Sequence, residues 1–450
     1  MSTGPGAGRF DERRLLVALF GAGTAAFAQL YAPQSVLPDA ARELATSASA
    51  TSLLVSAATL GLAVGVLPWA WVADRAGRVR AMTVAMLGAT AIGLVVPFAP
   101  SFELLVAGRA VQGLFVAGVP AVAMAYLTEM LIESGSAAAV PRAAGTYVAG
   151  TSVGGLLGRI VSGGVAELFG WRAGVGAVAV ACLVATGAFI WLAPRDRGPR
   201  AAAGPPDDGP VSDGPVSDSP VSDSPVSDGP VSDSPAPDSP APDPAFPERG
   251  APRGGRNRFG RRGRLGRFRA LLNPRLLVLD AQGLLLMGGF VAVYNYLGFR
   301  LAAPPFDLSP GVVSLVFLAY LAGTWSSART GRLVLRHGRR RVLIVSTGVM
   351  ALGVVATLSD WLPLVLAGLV VLTAGFFGAH AVASGWTPVA APQARTQAAA
   401  VYNLAYYAGS SLFGWLGGIG FALAGWPGTV GMVLVLVAVA AGLAAAVLRD

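Results

Sequence analysis

The amino-acid sequence predicts an all-α membrane protein with twelve transmembrane helices in two pseudo-symmetric six-helix bundles. Three observations lead to this fold class: the composition, the apolar runs of membrane-spanning length, and a polar break that divides those runs into six and six. Of the 450 residues, 54% are hydrophobic and 13% are charged, whereas about a quarter of the residues in a soluble domain are charged. The chain is therefore expected to cross a bilayer many times.

Each predicted span follows from backbone chemistry. About 20 apolar residues in a helix cross the hydrocarbon core, and a helix satisfies its own backbone polar groups there. The runs of the first half are Leu15–Leu37, Thr51–Val72, Met82–Phe98, Leu104–Tyr126, Ala143–Val165 and Ala173–Leu192. Those of the second half are Leu276–Leu297, Gly311–Ser327, Val342–Leu358, Leu362–Ser384, Ala398–Leu423 and Gly428–Leu448. The predicted domains are a tail over 1–14, a first bundle over 15–193, a linker over 194–274 and a second bundle over 275–450.

Arginine predicts the orientation, since the chain contains no lysine. Arginine in short loops is retained on the cytoplasmic side of a membrane, and an N-terminus on that side places 28 of the 33 arginines there. Both termini are therefore expected in the cytoplasm and the protein in the inner (plasma) membrane. The net charge of +9 then reflects orientation, and we expect no nucleic-acid partner.

The motif content argues against an enzyme. The single cysteine, Cys182, allows no disulfide, CxxC pair or thiolate metal site. We find no HExxH motif, no GxSxG in a strand-turn-helix context and no Walker loop. No metal and no cofactor are expected, and a membrane-embedded enzyme or sensor is kept only as a remote alternative.

The linker has two compositional halves. The first repeats Pro-Val-Ser-Asp followed by Gly or Ser through Asp213 to Asp233, and it has too little apolar surface to offset its chain entropy. We expect it to be disordered. The second, Arg253 to Arg269, is basic, and each arginine near anionic lipid contributes about 1 kcal/mol of binding. The alternative is an orientation signal within a spacer.

Two related loop motifs occupy equivalent places in the two halves. The first reads Asp74-Arg75-Ala-Gly77-Arg78 between spans two and three, and the second reads Leu335-Arg336-His-Gly338-Arg339 between spans eight and nine. This pattern resembles the loop motif of the major facilitator superfamily, Gly-x-Leu-x-Asp-Arg-x-Gly-Arg-Arg. Ala70 stands where the first copy would have glycine, whereas the second copy keeps Gly331 and replaces the acidic residue by Leu335.

The resemblance implies a secondary transporter whose two bundles rock about a central site. In such a loop, glycine permits a tight turn and Asp74 faces a helix N-terminus. Glu129, at the inner end of span four, is the expected partner of Arg78. That ion pair would be a conformational lock for one of the two access states. The alternative is that these arginines only set orientation.

Span four carries Arg109-Ala-Val-Gln112-Gly113, which resembles the Arg-x-x-x-Gly element of the same superfamily. An arginine at membrane depth costs at least about 2.5 kcal/mol and normally faces the bundle interior or a water-filled cavity. The resemblance implies that Arg109 assists proton transfer or contacts a polar substrate, with Gln112 on nearly the same face. The alternative is an arginine that extends outward to the interface.

Span five carries a stripe of small residues at four-residue spacing, which permits close helix packing. It resembles the superfamily's antiporter-associated glycine motif, with Gly155 in place of the usual proline, and the text around Gly409 and Gly414 resembles a second copy. Plain helix packing is the alternative explanation. The residues assigned to this motif are Gly150, Gly154, Gly158, Arg159 and Gly163.

Sequence around Asn295, Trp325, His380 and Tyr406 resembles the acriflavine-sensitivity, arabinose-efflux-like branch of the superfamily. In that fold, spans one, four, seven and ten line the central cavity. Asp280 and His380 are therefore further candidates for proton coupling. The alternative is an interfacial Asp280 and a His380 that satisfies a helix contact. The candidates for contacts to the transported compound are Gln29, Tyr31, Gln34, Gln112, Tyr294 and Asn295.

The functional prediction is a monomeric, proton-coupled exporter of small amphipathic compounds or sugars, because the cavity candidates are apolar and aromatic with few fixed charges. The alternative is a proton-coupled importer of a small neutral solute. The expected partners are a small-molecule substrate, protons and the lipid bilayer.

Overall fold

The structure is a computed structural model that describes residues 12–193 and 272–450. The predicted Pro-Val-Ser-Asp repeats, the basic segment after them and most of the N-terminal tail lie outside the described residues. Within those two ranges the chain forms α-helices and short 3-10 helices, with no β-strand. The all-α prediction is therefore confirmed.

The first half contains six helical segments. We number them α1 (Glu12–Glu43), α2 (Ala48–Ala76), α3 (Arg78–Phe98) and α4 (Phe102–Glu133), followed by the helical stretch Ala137–Leu192. Gly170, at φ 82° and ψ 164°, divides that stretch into α5 (137–169) and α6 (171–192). The connection predicted between spans five and six is thus a single glycine in the left-handed region, which favours glycine.

The second half repeats this plan. Its helices are α7 (Pro274–Leu301), α8 (Pro310–His337), α9 (Arg339–Ala356), α10 (Leu362–Ala390) and the stretch Arg395–Val447. Non-helical backbone at Ala424 and Gly425 divides this last stretch into α11 (395–423) and α12 (426–447). Nine stretches in the described part of the chain are long and apolar enough to cross a membrane. Dividing the two broken ones and adding α9, which begins with three arginines, gives the twelve segments predicted.

Both predicted loop motifs contain a sharp glycine turn. Gly77 joins α2 to α3 at φ 93° and ψ 149°, and Gly338 joins α8 to α9 at φ 81° and ψ 158°. A side chain is strained at such φ values, so glycine is favoured at both positions. The same conformation at the same place in each half follows the internal repeat of the sequence.

Helix pairing repeats between the halves as well. Helix α1 packs on α5 as α7 packs on α11, and α2 packs on α4 as α8 packs on α10. Glycines permit the closest approaches: a Cβ on Gly154 would lie 2.1 Å from the carbonyl oxygen of Thr24, and one on Gly409 would lie 2.0 Å from that of Leu284. Gly150 and Gly158 meet the α1 backbone in the same way. These three α5 glycines therefore pack α5 against α1.

The two halves meet through α2 with α11 and through α5 with α8. Ser411 Oγ donates a hydrogen bond to the carbonyl oxygen of Ser56 at 2.7 Å. A Cβ on Gly163 would lie 2.3 Å from Ser314 Cβ, so this member of the glycine motif packs against α8 of the other half and not against α1. These contacts lie toward the end of the molecule opposite the Gly77 and Gly338 turns.

Candidate substrate and coupling site

The guanidinium of Arg159 lies at the junction of the two halves. Arg159 follows Gly158 in α5, and the 100° rotation per helical residue turns it away from the α1 face. It is 1% exposed. Its Nε donates to Gln34 Oε1 at 2.7 Å, its Nη1 to the carbonyl oxygen of Gly155 at 2.7 Å, and its Nη2 to the hydroxyl of Tyr320 at 3.1 Å. Because Tyr320 belongs to α8, the arginine bridges the bundles.

Three aromatic rings surround the same guanidinium. Its central carbon lies 4.3 Å from the ring centroid of Tyr31, 4.7 Å from that of Phe317 and 4.8 Å from that of Tyr320. These distances permit cation–π attraction, which is strongest at desolvated sites. No carboxylate of a described residue forms an ion pair with Arg159. The positive charge is therefore stabilised by oxygen dipoles and ring faces.

A second polar bridge lies beside the first. Gln34 Nε2 donates to Asn295 Oδ1 at 2.6 Å, and Asn295 Nδ2 donates to the carbonyl oxygen of Gly414 at 3.2 Å. Tyr294, next to Asn295, turns into the second bundle, where its hydroxyl shares a hydrogen bond with Thr373 at 2.8 Å. The structure thus brings the predicted Gln34 and Asn295 together at the junction and places Tyr294 one layer behind them.

Arg109 lies inside the first bundle, away from this junction. It is 2% exposed and donates to the carbonyl oxygens of Leu54 at 2.7 Å, Gln29 at 3.1 Å and Leu30 at 2.6 Å. The oxygen of Gln29 is available because Pro33, four residues later, has no N–H to donate to it. Arg109 therefore ties α4 to α1 and α2 at the point where α1 changes from α-helix to 3-10 helix.

Gln112 and Gln29 complete this inner network. Gln112 Oε1 accepts from the Arg109 guanidinium, and its Nε2 donates to Gln29 Oε1 at 3.1 Å. Gln29 Nε2 in turn donates to Thr90 Oγ1 at 3.2 Å. Both glutamines are buried. Of the predicted contacts to the transported compound, these two accompany Arg109, and Tyr31 and Gln34 surround Arg159.

Asp280 and His380 are linked through Tyr402, a residue that the sequence analysis did not select. His380 Nδ1 and the Tyr402 hydroxyl share a hydrogen bond of 2.9 Å. The ring of Tyr402 packs on α7 at Gly283, where a Cβ would lie 3.1 Å from Tyr402 Cε2. Asp280 lies three residues before Gly283, and its buried Oδ1 has no hydrogen-bond partner. The ring of His380 lies 4.8 Å from that of Tyr406. Helices α7, α10 and α11 thus bring a carboxylate, a phenol and an imidazole together in the second bundle.

The first loop motif forms the ion pair suggested by the sequence. Arg78 Nε lies 2.6 Å from Glu129 Oε2, with the two side chains 26% and 41% exposed. The guanidinium of Arg75 stacks on Trp71 at 3.7 Å from the ring centroid. Asp74 is exposed at the end of α2. The Arg78–Glu129 contact joins the start of α3 to the end of α4 within the first bundle.

The second loop motif obtains its carboxylate from another part of the chain. Leu335, at the acidic position, is 88% exposed. The carboxylate of Asp450 instead accepts a hydrogen bond from the backbone N–H of Arg340 at 2.9 Å and lies against Gly338. A negative charge at the first turn of α9 stabilises that helix end. The remaining predicted lock residues of this copy lie in α8 or begin α9: Gly331, Arg336 and Arg339.

Exchanging the charges of Arg78 and Glu129 tests whether the pair is a lock. An ion pair this exposed contributes about 0–1 kcal/mol to stability. We therefore expect Arg78→Glu alone to slow transport severalfold with little change in melting temperature. The introduced carboxylate would repel Glu129, where the start of α3 meets the end of α4. The double variant Arg78→Glu with Glu129→Arg should recover most of the rate. A double variant no faster than the single one would show that the pair is not a lock.

Two repeated six-helix halves with buried polar groups at their junction define a membrane transporter of the two-bundle class. The sequence model of the Major Facilitator Superfamily matches residues 19–302, and the chain belongs to that superfamily. The inner membrane transport protein YnfM of Escherichia coli K12 is 34% identical over 90% of this chain and 84% of its own. The uncharacterized MFS-type transporter YybF of Bacillus subtilis 168 is 31% identical over 90% of this chain and 86% of its own. The protein is thus a multi-pass membrane transporter and not an enzyme.

Solved structures share the fold. The nucleoside transporter NupG superimposes with a TM-score of 0.70 at 11% identity, covering 97% of this chain and 100% of that one. A bacterial homologue of the human lysosomal transporter Spinster, in an inward-facing and unoccupied conformation, has a TM-score of 0.71 at 15% identity and covers 98% of this chain and 97% of that one. Identities this low establish the architecture alone.

Proposed function

We propose that the protein is a proton-coupled exporter of the inner membrane that works by alternating access, with both termini in the cytoplasm. The observation that carries the coupling is the group Asp280, Tyr402 and His380. A half-buried carboxylate with an unpartnered oxygen beside a phenol–imidazole hydrogen bond is able to gain and lose a proton as its access to water changes. Arg109, the proton-coupling candidate of the first bundle, has backbone carbonyls and Gln112 as its partners.

The contacts between the halves support an alternating-access cycle. Ser56 with Ser411 and Gly163 with Ser314 hold the bundles together at the end opposite the glycine turns. With the predicted orientation, that end faces outward, so these contacts support a state that loads from the cytoplasm. The α5 glycine stripe, which resembles the antiporter-associated motif, supports export.

Replacing Asp280 by asparagine tests the coupling. In liposomes that contain the purified protein and a trapped pH indicator, we expect compounds identified as substrates to drive proton movement through wild type. Asp280→Asn should reduce that flux at least about tenfold, since an amide does not carry the proton. Asp360→Asn, at an exposed carboxylate, is the matched control and should behave as wild type. Full proton flux through Asp280→Asn would remove the coupling assignment.

The direction of transport is tested in cells. An overproducing strain grown on a panel of toxic amphipathic compounds and sugar analogues should gain resistance to at least one of them if the protein exports. Increased sensitivity would instead identify the proton-coupled importer. Asp280→Asn in the same strain separates energised transport from a nonspecific effect of overproduction.

A further inference from the structure

We propose that the transported compound carries a carboxylate on an apolar, aromatic body, and that Arg159 binds the carboxylate. This inference rests on the transporter function and names the substrate class of its central site. It narrows the sequence-based expectation of small amphipathic compounds or sugars to amphipathic compounds that carry one carboxylate. The geometry of the Arg159 cluster carries it in three steps.

The first step is the unpaired charge. Arg159 is as buried as the aliphatic core around it, at 1% exposure, and no described carboxylate neutralises it. A guanidinium has five N–H donors, and three are used by Gln34, Gly155 and Tyr320. One N–H on each terminal nitrogen is left to donate. A carboxylate is the acceptor that matches a guanidinium fork in shape and charge.

The second step is the supply of further donors at the junction. The hydroxyl of Ser410 is fully buried on α11 and lies beside the hydroxyl of Tyr31, whose ring faces Arg159. Ser410 belongs to the second half and Tyr31 to the first. Both hydroxyls are able to donate a hydrogen bond to an anion held between the bundles.

The third step is the aromatic surround. Tyr31 contributes a ring from the first half and Tyr320 one from the second, with ring centroids 4.3 Å and 4.8 Å from the guanidinium carbon. Tyr406 and Tyr407 continue this surface on α11 in an edge-to-face pair at 5.1 Å and remain partly exposed. Such rings bury an apolar or aromatic body, and one buried cation selects a single anionic group on it.

The anion site is separate from the proton site. Asn295 of α7 lies at the depth of Arg159, because both residues hydrogen-bond to Gln34. Asp280 lies fifteen residues earlier in α7. At 1.5 Å per residue, this separation is about 22 Å. Asp280 therefore neither neutralises Arg159 nor contacts a carboxylate held there. Binding of the anion and titration of the proton are thus independently testable.

Equilibrium binding to the purified full-length protein tests the proposal without any gradient. The probes are phenylacetate, indole-3-acetate and 1-naphthoate, each paired with its own carboxamide, and the readout is the dissociation constant from ligand-dependent melting temperature. We expect at least one acid to bind at least about tenfold more tightly than its amide. Arg159→Gln should abolish that preference. Arg142→Gln, which removes an exposed arginine of the same bundle, should retain it.

Three outcomes would overturn the proposal: carboxamides that bind as well as the acids in wild type, an acid preference that survives in Arg159→Gln, or failure of all three acids to bind. If Arg159→Gln does not fold, Arg159→Lys provides the test. Lysine keeps the positive charge but lacks the two parallel N–H donors of the guanidinium. Arg159→Lys should therefore still prefer the acid over its amide but bind it more weakly than wild type. The Asp280→Asn variant distinguishes the two hypotheses. If it binds the acid as wild type does but no longer moves protons, the carboxylate site is independent of proton coupling.

Discussion

Replacing Gly154 by leucine is expected to prevent assembly of the first bundle, and alanine at the same position is expected to lower the melting temperature clearly. A Cβ there would lie 2.1 Å from the carbonyl oxygen, 2.6 Å from the Cα and 2.7 Å from the carbonyl carbon of Thr24. All three are backbone atoms, so relief requires α1 and α5 to separate. Overpacking of this kind costs about 1–3 kcal/mol for small additions.

Gly164 in the same helix provides the control. It is exposed, and a Cβ placed on it meets nothing within 4 Å. Alanine at position 164 should be neutral or slightly stabilising, because alanine exceeds glycine in helix propensity by about 0.8–1.0 kcal/mol. The measurement is the melting temperature of each purified variant with its yield of monodisperse protein. Equal stability of Gly154→Ala and Gly164→Ala would contradict the close α1–α5 contact.

Replacing Arg109 by methionine is expected to destabilise the protein by several kcal/mol. Methionine fills much of the volume but leaves the carbonyl oxygens of Leu54, Gln29 and Leu30 without their donor. Each unsatisfied buried acceptor costs about 1–3 kcal/mol, and water is scarce at this depth. The measurement is the unfolding free energy in mixed micelles, followed by the tryptophan fluorescence.

Arg109→Lys separates the structural role from the role in proton transfer that the superfamily resemblance implies. Lysine keeps the charge and supplies three donors, but it cannot reproduce the planar fork, so we expect intermediate stability. If Arg109 only ties the helices together, folded Arg109→Lys protein should retain proton-coupled transport. Arg109→Lys protein with wild-type stability but without proton-coupled transport would instead support a role of Arg109 in proton transfer. Gln112→Leu should resemble a mild form of Arg109→Met, because it removes one acceptor of the same guanidinium.

Much of the fold could be predicted because membrane insertion is governed by local composition. The length of each apolar run predicted the spans. The glycine in each loop motif predicted a tight turn, which the structure shows with a positive φ at Gly77 and Gly338. Even the break at Gly170 follows from a glycine between two apolar runs. Partners of the α5 glycines were harder to predict: spacing identifies a face suited to close approach, but Gly163 meets α8 and its three predecessors meet α1.

The importance of Arg159 could not be derived from the motif that contains it. Because Arg159 lies among regularly spaced glycines, it was assigned to a helix-packing motif. The insertion cost that made Arg109 a candidate applies equally to any arginine in a span. A search for charged residues at membrane depth would have found both. What sequence cannot supply is the direction of each side chain, since that depends on which helices become neighbours. The same limit applies to Pro33. The sequence shows that Pro33 has no N–H to donate to the carbonyl oxygen of Gln29, but it does not show that Arg109 donates there instead.

The buried Cys182 has a practical consequence for studying motion. It is 3% exposed, and its Sγ lies 3.4 Å from the carbonyl oxygen of Ala25 in the interior of the first bundle. Membrane-permeant labels therefore have little natural thiol background. Paired cysteines introduced at exposed positions of the two halves, Leu157 in α5 and Leu318 in α8, would place spectroscopic probes on opposite bundles, so that separation of the bundles becomes a measurable distance.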